Sequence, residues 1–572
     1  MTILPVLLAL ACAAPSLAAQ APADDAARVT ALADEYVAAF LAAYPDEAEV
    51  YGFTLERHDG LTDNGPAALA AWRAREDAWL ATLASVDAAG LRGRPEWITY
   101  GMLRERLQAS QAVRVCRMEL WAVNQMSGWQ VNVSTLGQVQ PVGTSALREQ
   151  ALARWGRLPG YVDNEIAWLR EGVRLGYTTP RPNVQLVIRQ LDGILAMPAA
   201  QSPLYGPAQR DSTPAFRAAW EALVRDGLLP AVRRYRDYLA NEYLPAARET
   251  LGVGALPDGR ACYQAAFRTY TTLDRAPEET FRLGQERVAR NVEEVREIGR
   301  RSWGTADLDS IRVRARGERF ADREALLAFS REAVERGRAQ VPRWFRTMPR
   351  AGVVVEPHPA FLEATASDQY FPAAEDGSRP AQYRINLGAP GEKTRAGAEI
   401  TAYHETYPGH HLQISAAQEL PGAHPVSRLV GSGSYVEGWA RYAEALAEEM
   451  GLYTGDGPRV DRRLWPARGM VVDPGIHLFG WTREQAVEYI VAAGRFDRAF
   501  SEALVDRIVA WPGQLTAYDT GGLEIFALRA EAERALGDRF DVREFHDVVL
   551  RNGAVTLPML RESVQAWIAE KR

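Results

Sequence analysis

The sequence predicts a mainly α-helical fold with a small β-sheet, and three observations lead to this prediction. Apolar residues recur at helical spacing through most of the first 345 residues, as in the segment opened by Pro277, where Phe281 and Val288 recur among charged residues. Strand-like runs are confined to two short stretches, 353–355 and 383–387. The 572 residues are 47% hydrophobic and 24% charged, a composition typical of a globular protein.

The N-terminus predicts export. Residues 3–17 form a short apolar run that ends in small residues suited to signal peptidase, so we expect residues 1–20 to be a cleaved signal peptide. Cys12 offers a lipoprotein alternative, but the residues before it match a lipidation motif poorly. We therefore expect a periplasmic or secreted protein with no membrane-spanning segment after signal removal.

Only Cys116 and Cys262 remain after the signal peptide is removed. Neither has the CxxC spacing of a metal site, and two cysteines in an exported chain are able to form one disulfide. We expect this disulfide, with two buried free thiols as the alternative.

The net charge and the helical periodicity of the chain bear on its partners and on its domain organisation. The net charge of -7 and the scattered basic residues argue against nucleic acid as a partner. Helical patterns at 25–43, 67–84, 214–239 and 323–340 predict a mostly helical N-terminal lobe over residues 25–345. Residues 346–572 are expected to form a second lobe, within one compact unit. The oligomeric state is left open.

The two strand-like stretches precede a cluster of histidines. Tyr383, Ile385 and Leu387 alternate with polar residues, as in a half-buried strand. An exposed sheet edge near Tyr383 would bind an extended peptide substrate through main-chain hydrogen bonds.

The histidine cluster at 403–411 reads YHETYPGHH and holds three of the chain's eight histidines. Pro408 lacks an amide hydrogen and disfavours helical geometry in the residue before it, so a helix through His404 must break there. In a straight helix, a residue six or seven positions after His404 lies about 9–10.5 Å along the axis, too far to share one ion comfortably. The break must bring one later histidine back, and spacing alone leaves His410 and His411 open.

A third ligand is expected from Glu437, on a predicted helix that follows the cluster. Two histidines and one glutamate leave a fourth zinc position for water, as a hydrolase requires. Glu405, directly after the first histidine, is the predicted general base. Residues 346–572 are therefore expected to be the metal-bearing catalytic lobe.

These motifs resemble a known family. The segments HETYPGHHLQ at 404–413 and YVEGWA at 435–440 are similar to the large bacterial group called domain of unknown function 885, and the resemblance continues to residue 547. That family is regarded as related to the gluzincin metallopeptidases. The resemblance implies a large helical gluzincin-like body with a small β-sheet beside the active-site cleft. Because similar sequences often carry Tyr or Phe after Pro-Gly-His, it also implies His404, His410 and Glu437 as ligands of one Zn²⁺ ion.

Further candidates would act on the substrate. His477 and Tyr518 are the predicted donors to the negative charge that develops in a tetrahedral intermediate, with a merely packed ring as the alternative for each. Arg468 is the candidate for binding a substrate carboxylate, with an internal salt bridge as the alternative.

The leading hypothesis is an exported zinc metallopeptidase that hydrolyses peptide bonds with Glu405 as general base. One alternative is a zinc amidase acting on a non-peptide or cell-wall amide. The other is a catalytically inactive metal-containing protein that binds peptides.

Overall fold

The structure is a computed structural model that describes residues 24–358, 367–374, 379–420, 422–430 and 432–572. The predicted signal peptide at 1–20 lies outside these residues. Within them the chain is mainly helical with one small sheet, as predicted, and this sheet has three strands. No helix in this part of the chain is long and apolar enough to cross a membrane.

The helices before the sheet follow the predicted pattern, and α1 has the predicted bounds. The segment predicted as one helix at 214–239 is two α-helices joined by a π-helical turn at Val224–Leu228 and followed by another at Leu239–Tyr243. The α-helices are α1 Asp25–Ala43, α2 Pro45–Val50, α3 Pro66–Leu83, α4 Pro95–Val113, α5 Trp129–Val139, α6 Ser145–Trp155, α7 Leu158–Leu175, α8 Arg181–Ala196, α9 Gly206–Gln209, α10 Pro214–Leu223, α11 Leu229–Tyr238, α12 Leu244–Ala246, α13 Gly259–Thr271, α14 Pro277–Trp303, α15 Leu308–Arg316 and α16 Arg323–Trp344.

The sheet has the order β1-β3-β2, with β1 Val353–Pro357, β2 Gln369–Phe371 and β3 Ala381–Ile385. Strand β1 pairs with β3 in parallel, and β2 pairs with β3 antiparallel, with Tyr370 opposite Tyr383. Strands β1 and β3 were predicted from the sequence, whereas the three-residue strand β2 was missed. Since β3 is paired on both sides, Tyr383 does not lie at a sheet edge, and that prediction is wrong.

Helices resume after the sheet. The capping box predicted by Thr482 and Gln485 is present at the start of α22. The helices are α17 Arg395–Glu405, α18 His410–Gln418, α19 Gly433–Glu449, α20 Asp456–Leu464, α21 Gly469–His477, α22 Arg483–Val491, α23 Arg498–Ala510, α24 Thr516–Leu536, α25 Val542–Leu550 and α26 Leu557–Lys571. Single 3₁₀ turns lie at Ala89–Leu91, Arg114–Cys116, Met118–Leu120, Ala199–Gln201, Pro203–Tyr205, Val253–Ala255, Pro390–Glu392, Pro425–Leu429 and Gly537–Arg539.

The largest hydrophobic core surrounds the histidine cluster. It joins buried side chains of α16, the sheet, α17, α19 and α24–α26, including Val341, Ile400 and Ile525. A separate core holds α5–α11 together, and a third packs α1, α3 and α4. Because α16 precedes residue 345, the core around the cluster draws on both predicted lobes, and the division at 345 stays a prediction.

The two remaining cysteines form the predicted disulfide. Cys116 and Cys262 are both buried, with 4.6 Å between their Cα atoms, and the bridge ties the turn after α4 to α13. It spans 146 positions of the chain. Closing a loop of that length removes unfolded-state entropy equivalent to about 5 kcal/mol at 25 °C.

Replacing both cysteines by serine is therefore expected to lower the melting temperature of the metal-free protein substantially. The measurement is thermal unfolding of the variant beside the wild type, with and without a reducing agent. Reduction should lower the wild-type melting temperature and leave the double variant unchanged. Equal melting temperatures for oxidised and reduced wild type would show that the bridge does not stabilise the fold.

Candidate metal centre

The break predicted within the histidine cluster separates two helices. Helix α17 begins at its predicted cap, where the Thr394 side chain accepts a hydrogen bond from Gly397 N at 3.0 Å, and it ends at Glu405. Helix α18 begins at His410. A Cβ atom on Gly409 would lie 1.9 Å from the carbonyl oxygen of His404, so only glycine fits at this position. This close approach turns α18 back onto α17 and leaves the rings of His404 and His410 with centroids 4.8 Å apart.

Glu437 on α19 completes a group of three potential ligands. Its Oε2 atom lies 3.6 Å from His404 Nε2 and 3.5 Å from His410 Nε2, and one ligand atom from each residue lies within 4.8 Å of the others. Ligands held tetrahedrally at ~2.0–2.1 Å from one zinc ion lie about 3.3–3.4 Å apart. Glu437 Oε2 is also buried without a hydrogen-bond partner among the described residues. The group therefore fits a divalent metal ion.

A second carboxylate orients the first imidazole. Glu444, two turns after Glu437 on α19, lies with Oε1 2.9 Å from His404 Nδ1. Arg441 donates to the same oxygen at 2.8 Å, and its Nε lies 3.4 Å from Asp519 on α24. With Nδ1 donating to Glu444, Nε2 is the ring nitrogen that faces Glu437 and is left for a metal ion.

Replacing Glu444 by Gln is expected to weaken zinc binding about 10–100-fold, because His404 loses the carboxylate that fixes its tautomer and raises its basicity. The measurement is zinc affinity by competition with a chelating dye. Glu449→Gln is the matched control, since Glu449 lies on the same helix but pairs with Arg529 at the surface. An unchanged affinity in Glu444→Gln would remove Glu444 from the metal centre.

The charges in the metal-free site are strongly coupled. Burial by itself would lower the pKa of His404, but the carboxylates of Glu437 and Glu444 raise it to about 10. Burial would raise the pKa of Glu437, yet His404 and His410 hold it well below its ordinary value. Imidazoles and carboxylate thus stabilise one another in the ion's absence, and a bound cation would take over that role.

Glu405 lies beside this group with one oxygen already engaged. Its Oε2 accepts a hydrogen bond from the backbone N–H of Tyr370 on β2 at 2.9 Å. Burial raises the pKa of Glu405, although the neighbouring His404 and His410 oppose the shift. A carboxylate with a raised pKa, held in place by the sheet, has the properties of a general base.

His411 lies apart from the three ligands, in a hydrogen-bond network of its own. Its side chain is 0% exposed, and its Nε2 lies 2.9 Å from the Tyr407 hydroxyl. Its Nδ1 lies 3.2 Å from both the Tyr370 hydroxyl and Ser415 Oγ. Burial lowers the pKa of His411 to about 4, so the ring is neutral. The choice of His410 over His411 as the candidate ligand agrees with this geometry.

Tyr518 is the predicted oxyanion donor that the structure places near the ligands. Helices α19 and α24 touch through their backbones, since a Cβ atom on Gly521 would lie 1.7 Å from the Ser434 carbonyl oxygen. Tyr518 lies one turn before Gly521 on α24, near enough for the Glu437 charge to act on its hydroxyl. Burial and the Glu437 charge raise the pKa of Tyr518, so its hydroxyl keeps its proton. Arg507 Nη2 donates to that hydroxyl at 3.3 Å.

His477 is not placed as a donor. It is buried, its Nδ1 accepts from the backbone N–H of Val253 at 3.2 Å, and its Nε2 donates to the Ile508 carbonyl at 3.0 Å. Both ring nitrogens are therefore occupied by main-chain groups. Burial lowers the pKa of His477 to about 3, and the ring packs against Tyr263. His477 therefore has no free ring nitrogen to act as the predicted oxyanion donor. Its hydrogen bonds instead join α21 to the turn at 253–255 and to α23.

The two predicted substrate-binding residues are also internal. Arg468 is buried and donates to the carbonyl oxygens of Leu464 and Tyr489, and it forms no salt bridge within the described part of the chain. Tyr383 is 1% exposed in the central strand. Neither side chain is free to meet a substrate.

Sequence reasoning missed three groups that support the site, namely Arg441, Glu444 and the Tyr370 amide. Glu437, Arg441 and Glu444 follow at four- and three-residue steps on one helix, so helical spacing already places them on one face. That signal was available in the sequence. The Tyr370 amide gave no comparable signal, because it lies on a strand of only three residues.

Fold and site together define a mainly helical protein whose His404, His410 and Glu437 side chains could hold a metal ion. The chain belongs to the bacterial family of unknown function DUF885, whose model matches residues 45–564.

Two solved structures are similar over nearly the whole chain. A candidate lipoprotein from Colwellia psychrerythraea is 26% identical, with a TM-score of 0.85 over 96% of this chain and 100% of that one. A candidate lipoprotein of unknown function from Shewanella oneidensis is 19% identical, with a TM-score of 0.79 over 93% of this chain and 99% of that one, and shares the fold. No curated protein matches the sequence.

Proposed function

We propose that this protein is a zinc-dependent peptidase with a gluzincin-like metal centre. The observation that carries the proposal is the convergence of two imidazoles and the Glu437 carboxylate beside Glu405, on helices that a Pro-Gly break brings together. Two histidines, a glutamate and an adjacent carboxylate are the groups that a zinc hydrolase uses. The identity of the ion as zinc rests on this set of nitrogen and oxygen ligands.

The ion would polarise the substrate carbonyl and lower the pKa of a water molecule to about 7. Glu405 would accept that water's proton and return it to the leaving amine. Its Oε2 is held by the Tyr370 amide, so Oε1 is the oxygen we assign to proton transfer. Tyr518 would donate its hydroxyl hydrogen to the oxygen on which negative charge develops, because burial and Glu437 keep it protonated.

Strand β2, rather than Tyr383, is the part of the sheet that we assign to binding an extended peptide. It lies at the edge of the described sheet, and its backbone already holds Glu405 through the Tyr370 amide. An edge strand offers main-chain donors and acceptors to a peptide of any sequence. A peptide bound there would lie against the strand that positions the general base.

The proposal is tested with the zinc-loaded protein and a diverse peptide library, with products read by mass spectrometry. Cleavage that stops when a chelator removes zinc and returns when zinc is restored is the expected result. Zinc binding without cleavage of any peptide would favour the inactive peptide-binding alternative. Release of an amine from non-peptide or cell-wall amides only would favour the amidase.

We also propose that the protein is exported. The disulfide between Cys116 and Cys262 supports an oxidising compartment. The two similar structures are described as candidate lipoproteins, which supports lipidation at Cys12 as an alternative to cleavage near residue 20. The intact mass of the mature protein separates the two routes. Cleavage near residue 20 leaves an unmodified chain, whereas lipidation leaves a chain that begins at a modified Cys12.

A further inference from the structure

The two histidines of the candidate metal centre differ in what holds their second nitrogen. His404 Nδ1 is paired with Glu444 at 2.9 Å. His410 Nδ1 is buried and has no hydrogen-bond partner in the described part of the chain. A metal-bound histidine almost always donates its other ring N–H, and that partner orients the ring. A buried N–H without an acceptor destabilises the folded protein, because it gives up its hydrogen bond to water and gains none in return. Among the described residues, His410 thus lacks the hydrogen-bond acceptor that would orient its ring.

A matching acceptor lies one turn further along α18. Gln413 follows His410 by three positions, which places both side chains on the same face of the helix. The Gln413 side chain is 2% exposed, and its Oε1 atom is buried with no hydrogen-bond partner among the residues that the structure describes. One unpaired donor and one unpaired acceptor therefore occupy the same helix face within one turn.

A groove borders the Gln413 end of this pair. Gln413 lines a groove of about 1960 Å³, together with neighbours on α18 such as Ala417 and with residues of α4 and α26. The groove also reaches Val436, which precedes the ligand Glu437. A water molecule between two buried polar groups replaces a direct hydrogen bond at little energetic cost.

We propose that Gln413 is a positioning residue for the metal centre, and that its Oε1 accepts the His410 Nδ1–H through one bridging water. This interaction would hold His410 in the tautomer whose Nε2 lone pair faces Glu437. Gln413 would then orient the ring of His410, as Glu444 orients the ring of His404. The inference rests on the proposed metal centre and does not depend on peptide hydrolysis.

Zinc affinity tests the inference without any substrate. Gln413→Leu removes the acceptor at similar volume and is expected to bind zinc about 10–100-fold more weakly than wild type. Gln413→Glu keeps an acceptor at the same place and is expected to restore most of that affinity. Gln418→Leu, at an exposed position of the same helix, is the matched control and should bind zinc as wild type does.

Thermal unfolding of the metal-free variants separates positioning from a general structural role. In the metal-free protein Gln413→Leu removes only one water-mediated hydrogen bond and fills the same volume, so its melting temperature should stay close to that of wild type. Weaker zinc binding together with undiminished stability supports the inference. Wild-type affinity in Gln413→Leu overturns it, and so does a loss that Gln413→Glu fails to restore. A wild-type protein that binds no zinc overturns both the inference and the metal centre, whereas absent peptidase activity alone leaves the inference standing.

Discussion

Glu405→Gln is expected to lower the rate of peptide hydrolysis by about 10²–10⁴-fold while zinc binding is retained. The substitution keeps the size of the side chain and an oxygen that accepts from the Tyr370 amide. It removes the group that takes a proton from water. Because Glu405 is not among the three candidate ligands, the metal should remain at one ion per chain.

The measurement combines single-turnover kinetics on a cleaved peptide with zinc content by elemental analysis. Glu335→Gln is the control, since Glu335 is an exposed carboxylate on α16 that pairs with Arg338. A Glu405→Gln protein that retains both zinc and full activity would show that another group accepts the proton. Loss of zinc together with activity would instead place Glu405 in the coordination sphere.

Removing either candidate imidazole should abolish stoichiometric zinc binding, whereas removing the adjacent one should not. His404→Ala and His410→Ala each delete one of three donors that lie within 4.8 Å of one another. The expected loss of affinity exceeds the 10–100-fold typical of a lost supporting residue. His411→Ala breaks contacts to Tyr407, Tyr370 and Ser415 instead, so it should lower the melting temperature and leave one zinc per chain.

Elemental analysis measures the zinc content of the three variants, and dye competition measures their zinc affinity. Melting temperatures identify any variant that fails to fold. Zinc loss in His411→Ala, with zinc retained in His410→Ala, would show that His411 and not His410 is the ligand. Retention of zinc in all three would place the metal elsewhere in the chain.

Much of the candidate centre could be predicted because it depends on local rules. Pro408 and Gly409 end a helix by their own chemistry, and the break then limits where the later histidines can lie. The α17 cap at Thr394 follows from the same kind of local rule. Glu437 was found because it stands on a helix in a recognisable motif.

The residues that were misassigned depend on contacts between distant segments. The ring of His477 is occupied by the backbone of residues 253 and 508, and no local pattern around His477 indicates those partners. Arg468 likewise donates to a carbonyl 21 positions away. Tyr383 is central only because β2, too short to give a clear pattern, pairs with its strand. Local propensity predicts elements, but it does not predict which elements surround a given side chain.

The four non-helical residues between α17 and α18 have a consequence for how the protein responds to metal supply. An unbroken helix would fix the separation of His404 and His410 with or without an ion, whereas here the two residues belong to separate helices. An ion bound by both histidines would link the two helices. Its binding would stabilise the contact between them by about 4 kcal/mol when the free ion concentration is a thousand times Kd. The amide hydrogens of α18 would then exchange more slowly when zinc is bound. Their exchange rate would therefore indicate what fraction of the protein carries the ion.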